Sequence, residues 1–260
     1  MAIPQRLTPS FRMGLPAMIN ARSLFENLPP DIYEKMISYV RENPQTLLEI
    51  GGIRRWLSSV RFESNKNNMK KPDAPDENSY DYTVDWNVYS LNNQVSNDRP
   101  AHLIKPVTAI PRISKNIKEK KLLSIGPRSE HELFILYGHG FSPENVTAID
   151  LMSYSPLIQI GDMHSLPFPD NSFDVLVCGW TLAYSTDKKR AASEMARCVR
   201  PGGVIAMGNS NFELPTVASV LDLFGSNVGQ VFFQHDRSDC ENPDDETGLV
   251  MTVFEIVKNA

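Results

Sequence analysis

Between residues 122 and 209, four short apolar runs each end at a glycine, an acid or a turn. They are Leu122-Leu123-Ser124-Ile125-Gly126, Val146-Thr147-Ala148-Ile149-Asp150, Val175-Leu176-Val177-Cys178-Gly179-Trp180, and Val204 to Met207. Runs apolar at nearly every position suit strands buried on both faces, which is the condition of a parallel sheet covered by helices. Gly126 stands 24 positions before Asp150. A glycine turn followed about 20 residues later by a strand-end acid is how Rossmann-like sheets hold a nucleoside, the carboxylate accepting from ribose hydroxyls. Gly161-Asp162-Met163-His164, then Leu166-Pro167-Phe168-Pro169-Asp170-Asn171-Ser172-Phe173-Asp174, then Arg200-Pro201-Gly202-Gly203 fill the intervals.

In type, spacing and order these signals resemble the class I S-adenosylmethionine-dependent methyltransferases, in particular the type 11 methyltransferase domain. The resemblance implies a Rossmann-like, doubly wound, mostly parallel seven-stranded sheet and S-adenosyl-L-methionine as cofactor. It implies that Gly126 lets the first strand end against the cofactor, that Asp150 with Leu151 holds the ribose side, and that Asp162 and Met163 read adenine. Trp180 is expected at the cofactor as well. The first loop departs from the family, which writes Asp/Glu-x-Gly-x-Gly-x-Gly where this chain has Ser124-Ile125-Gly126-Pro127-Arg128-Ser129-Glu130. Side chains at 128 and 130 crowd a standard cofactor pose unless the loop is rebuilt. Arg128 then either pairs bidentately with the cofactor carboxylate or is a surface residue.

Methyl transfer asks chiefly for alignment and exclusion of water, with a base only when the acceptor must lose a proton. His164 is the best-placed base, with a structural histidine as its alternative; His131 and His139 rank below it. Tyr184, near the end of the fourth strand with Ser185, either orients the acceptor and covers the sulfonium or is a core aromatic. Leu166 to Phe173 and Arg200 to Gly203 read as structural. The leading function is a methyltransferase acting on a small-molecule or saccharide-type acceptor. The alternative is a scaffold that kept the fold and lost the cofactor. A nicotinamide oxidoreductase ranks last, because it needs a Gly-x-Gly-x-x-Gly loop that this chain lacks.

Charge is divided along the chain. Residues 1–121 carry 18 Lys and Arg against 13 Asp and Glu, and residues 122–260 carry 8 against 18. The basic front segment suggests an anionic acceptor, unless Lys115 to Lys121 is simply a solvated helix end. No basic run with interleaved aromatics points to nucleic acid. No apolar stretch reaches the ~20 residues that span a bilayer, and the first 23 residues lack the apolar centre of a secretory signal. Cys178, Cys198 and Cys240 lie far apart, so no disulfide framework or metal site is expected and a reducing, cytoplasmic setting is.

The expected division is a helical or irregular extension over residues 1–116, a possible lid or substrate-binding segment, and a methyltransferase-like domain over 117–260. In the extension, Ile32, Met36, Ile37 and Val40 predict a helix to Arg41 with Asp31 as its cap. Thr46 to Gly52 mimics a strand and glycine loop, but the later motifs do not follow it, and Ile53 to Val60 reads as helix. Asn65 to Ser79 reads as a loop. Tyr80 to Tyr89, dense in aromatics and aspartates, is either a lid or a packed strand. Further helices are expected at 130–138, 187–199 and 216–224, with strands at 228–235 and 249–257 and an acidic loop at 236–248.

Overall fold

The computed structural model describes residues 29–70, 80–93, 99–209, 214–236 and 249–258. The chain forms two compact units, Met1–Asn43 and Pro44–Ala260. In the first, α1 (Pro30–Glu42) starts with proline at its first position, where the missing N–H costs nothing. Its cap is Pro29 rather than Asp31; the aspartate sits in the first turn and pairs with Lys35 at 3.0 Å.

The second unit is built on a seven-stranded sheet in the order β3-β2-β1-β4-β5-β7-β6. Its strands are β1 (Leu122–Ile125), β2 (Val146–Asp150), β3 (Gln159–Ile160), β4 (Phe173–Gly179), β5 (Val199–Asn209), β6 (Val228–His235) and β7 (Val250–Ile256). The first five are parallel, and β7 runs antiparallel between β5 and β6. This is the Rossmann-like, doubly wound architecture expected from the sequence.

Strand alternation divides the core between two faces. Leu123, Ile125, Leu176, Cys178, Ile205 and Met207 pack with α7 (Lys188–Cys198) and α8 (Val217–Phe224). On the other face, Leu122, Val175, Val177, Val204 and Ala206 pack with α4 (Arg99–Thr108) and α6 (Glu130–Gly138). Asp187 caps α7 by accepting the Arg190 N–H at 3.0 Å, and a Thr216–Ser219 capping box starts α8.

Every residue of α6 is buried, because a further layer covers the side away from the sheet. That layer is the 3-10 turn Pro44–Glu49 and α2 (Gly51–Asn65). A Cβ on Gly138 would stand 2.7 Å from the Leu48 carbonyl oxygen, so the turn rests directly on the end of α6. The segment that mimics a glycine loop is therefore a wall of the domain. The second compact unit takes in the chain from Pro44 on, with residues 44–65 covering the outer side of α6.

The aromatic segment is neither strand nor loop. It forms α3 (Tyr80–Asn92), with Val88 and Leu91 packed beside Phe62, Met69, Met152 and Tyr154. Trp86 and Tyr89 stack on each other at 5.6 Å on its exposed side. Val88 and Leu91 lie one helical turn apart, a spacing that a strand would place on opposite faces. Of the loop expected over 65–79, residues 66–68 are a 3-10 turn and 71–79 lie outside the described residues, as do Cys240 and most of the acidic loop after Asp236.

Candidate functional site

The strand order reverses between β1 and β4, and at such a switch point a crevice opens beyond the carboxyl ends of the strands. Gly126 occupies it. Its φ is 69°, and its N–H extends the ladder by donating to the Ile149 carbonyl at 2.8 Å. A Cβ here would overlap the Thr181 side chain, whose Oγ1 lies 3.2 Å from the carbonyl oxygens of both Gly126 and Gly179. Glycine is required on both counts.

Arg128 takes the next family glycine position and keeps the glycine-like backbone, with φ 51°. Left-handed geometry costs an ordinary residue about 1–2 kcal/mol. Part of the compensation is visible: the Arg128 N–H donates to Asp150 Oδ2 at 2.8 Å, tying the loop to the end of β2. The Asp150 carboxylate is buried, and desolvation raises its pKa against the opposing backbone N–H groups of Arg128 and Met152. A carboxylate so short of water gains strongly from further donors such as ribose hydroxyls. Leu151 follows it, half-buried. Ser124, where the family has an acid, is buried, and its hydroxyl has no partner among the described residues.

The last family glycine position is Glu130, and its side chain turns back into the protein, fully buried. Its carboxylate receives Nε and Nη2 of Arg61 from α2, the latter at 2.9 Å, and the Ser155 hydroxyl at 2.5 Å. The Glu130 N–H, at the open start of α6, donates to the Tyr154 hydroxyl oxygen at 3.2 Å. Burial pushes the Tyr154 phenol up to about 12.

A second cluster lies past β3. A Cβ on Gly161 would overlap the Ile149 side chain, so only glycine lets the chain turn there. Asp162 is half exposed, and its Oδ1 accepts both the His164 backbone N–H at 2.8 Å and a contact from His164 Nδ1 at 2.6 Å. The other ring nitrogen, Nε2, meets Ser185 Oγ at 2.7 Å, and the His164 carbonyl accepts from Arg190 Nε at 2.9 Å. Both nitrogens of His164 are thus in contact with side-chain oxygens. Met163 is buried in the core between them.

Trp180 has φ 58°, donates its N–H to the Gly208 carbonyl at 2.6 Å, and lays its ring against Gly208. Tyr184, on the turn Leu182–Tyr184, is 45% exposed, which excludes the core-aromatic alternative. His131 is buried in the first turn of α6, and His139 Nδ1 contacts the Ile135 carbonyl at the opposite end of that helix.

The proline-rich segment is structural, as its sequence suggests. Arg197 reaches the Leu166 and Phe168 carbonyls at 3.0 and 2.8 Å, Asp170 at 2.8 Å, and Glu194, whose pKa the guanidinium lowers. Lys115 to Lys121 precede β1 and so stand at the amino edge of the sheet, opposite the crevice. That run therefore gives no support to an anionic acceptor. Sequence reasoning also missed Arg61, Ser155 and Thr181, whose partners lie 25 to 69 residues away and leave no periodic trace.

Comparison with known proteins agrees with this geometry. A profile described as a methyltransferase domain matches residues 124–207. The demethylmenaquinone methyltransferase of Desulfitobacterium hafniense (strain Y51) is 43% identical over 54 residues, covering 20% of this chain and 21% of that protein. The ubiquinone/menaquinone biosynthesis C-methyltransferase UbiE of Hahella chejuensis is 41% identical over 61 residues, 23% of this chain and 24% of the relative. The chain thus matches less than a third of the length of these curated relatives. Among solved structures, the Haloferax volcanii complex containing the Trm112 methyltransferase activator aligns with TM-score 0.51 at 17% identity, over 70% of this chain and 99% of the other. The CurJ carbon methyltransferase aligns with TM-score 0.50 at 13% identity, over 89% and 72%. At these identities the structural likeness speaks for the fold, and the matched profile gives residues 124–207 the likeness of a methyltransferase domain.

Proposed function

We propose that this chain binds S-adenosylmethionine at the carboxyl edge of β1 and β2 and transfers its methyl group to a small, uncharged, ring-bearing acceptor of the quinone or phenol class. The observation that carries the reading is the joint placement of Asp150 and Asp162 beyond β2 and β3, beside a switch-point glycine that tolerates no side chain. When bound, the cofactor supplies an electrophilic methyl group on a sulfonium, and transfer is an in-line displacement. The chain's own task is then to hold and align. Asp150 accepts ribose hydroxyls, Asp162 the adenine amino group, and the Met163 backbone reads the adenine edge. His164 fixes the Asp162 carboxylate by its double contact with Oδ1. A proton lost by the acceptor passes to Ser185 Oγ and from there to His164 Nε2, the one route that the 2.7 Å contact provides. Tyr184 offers an exposed ring on which a planar acceptor can rest.

The names of the relatives support a quinone-type acceptor, and the remote position of the Lys115–Lys121 run supports an uncharged one over an anionic sugar. The scaffold alternative rested on crowding by residues 128 and 130. Glu130 is turned away toward Arg61, which relieves the crowding at 130 and supports retained cofactor binding.

Isothermal titration with S-adenosylhomocysteine should give micromolar binding to the wild type and at least 100-fold weaker binding to Asp150→Ala. Transfer of a labelled methyl group to 1,4-dihydroxynaphthalene should then exceed transfer to any sugar phosphate. Absence of binding to the wild type at millimolar ligand would refute the reading.

A further inference from the structure

We propose that Arg61, on α2, is a positioning residue of the cofactor site: by neutralising and holding back Glu130, it keeps the first loop open where the family relies on a glycine. The inference rests on the cofactor reading above and adds a residue to it from the front part of the chain.

Glu130 stands at the first position of α6, directly after the loop that carries Gly126 and Arg128. A carboxylate there has two places to go. It can lie over the loop, where a nucleoside cofactor must approach, or it can fold back into the protein, where an isolated charge is costly to bury. The structure shows the second, with 0% of the residue exposed. Two guanidinium nitrogens of Arg61 and the hydroxyl of Ser155 meet the carboxylate there, so the buried charge is both paired and hydrogen-bonded.

Further contacts join this part of the chain to the stretch after Asp150 and, through Tyr154, to the start of α6. Phe62, the next residue, packs edge-on against the Tyr154 ring at 5.0 Å, and the Tyr154 hydroxyl oxygen accepts the Glu130 N–H. Beyond the helix, Lys70 and Ser153 exchange backbone hydrogen bonds of 2.8 and 3.1 Å. Residues 61–70 thus fasten the start of α6 to the stretch after Asp150. Those two segments flank the 2.8 Å bond from the Arg128 N–H to Asp150 that sets the ribose-side carboxylate. Arg61 needs no contact with the cofactor to act; it fixes the groups that make one.

Removing Arg61 leaves a charge that cannot stay buried, and its nearest escape is back over the loop. Affinity then falls although no ligand contact has been deleted. Replacing Glu130 by the family's glycine removes the charge that needed holding, so affinity returns even without Arg61. A purely structural ion pair predicts no such rescue.

The test is titration of the full chain with S-adenosylhomocysteine, at a temperature where circular dichroism shows every variant folded. Arg61→Ala should weaken binding at least tenfold, Arg61→Lys should fall between it and wild type because an ammonium cannot grip both carboxylate oxygens, and Arg61→Ala/Glu130→Gly should recover to within about threefold of wild type. Trp56→Ala, on the exposed side of the same helix, should leave affinity unchanged. If Arg61→Ala does not fold, Glu130→Gly with and without Arg61→Leu carries the same comparison, and equal affinity in the pair is expected. Wild-type binding with an unchanged Arg61→Ala, or a double variant no better than the single, overturns the inference alone. A wild type that does not bind overturns the cofactor reading with it.

Discussion

The loop at 126–130 and the turn at 161–164 both follow the carboxyl ends of parallel strands, β1 and β3, yet they are held differently. The turn is supported from nearby in sequence: Asp162 by His164 two residues on, His164 by Ser185 and Arg190 within 26. The loop has supports at similar separations, from Asp150, Tyr154 and Ser155, and one more from an arginine 69 residues earlier that reaches Glu130. A locally supported element can keep its family motif through changes elsewhere. An element supported at long range can lose its motif, provided the distant partner stays.

The largest expected effect separates these two modes. Arg61→Ala leaves the buried Glu130 carboxylate uncompensated and should cost about 3 kcal/mol of unfolding free energy, toward the low end for a broken buried pair because Arg61 itself is partly exposed. Urea denaturation should show it as a lower midpoint at unchanged slope. His164→Ala removes two side-chain contacts from the turn and should cost only about 1–1.5 kcal/mol, since Asp162 still receives the backbone N–H of residue 164. A cost equal to that of Arg61→Ala would erase the contrast. The smallest effect belongs to Arg128→Gly. Relief of the left-handed backbone, about 1–2 kcal/mol, is offset by about 0.5–1 kcal/mol of added freedom in the unfolded chain, so a slight stabilisation is expected by thermal melting. A clear destabilisation would mean that the guanidinium, and not the backbone, secures the loop.

The same contrast explains what was legible in the sequence. Strands β1, β2, β4 and β5 announce themselves because a strand buried on both faces must be apolar throughout and must stop at a turn residue. Gly126, Gly161 and Asp162 were readable because each meets a local backbone demand. The α3 segment misled because Tyr, Trp, Thr and Val favour strands when nothing else decides, and here packing of Val88 and Leu91 beside Tyr154 decides for helix. The cover that residues 44–65 give α6 was not legible either, because it is made of long-range contacts and carries no motif of its own. Arg61 was invisible, since one arginine among the 18 basic residues of the front segment carries no mark of its partner.

The complete burial of α6 has a consequence for how the molecule is made. Synthesis runs from the amino end, so residues 44–65 leave the ribosome well before the helix they cover. Until Glu130–Gly138 arrives, Leu57 lacks part of the cluster it packs against, and Arg61 has no carboxylate to grip. The helix in turn cannot settle until β4 and β5, later still, complete the sheet beneath it. Its formation joins early and late parts of the chain in a single long-range event, the kind of closure that slows folding and lengthens the exposure of apolar surface. A shortened chain beginning near residue 117 would be no smaller version of the domain; it would carry α6 bare on its outer side and be prone to aggregate.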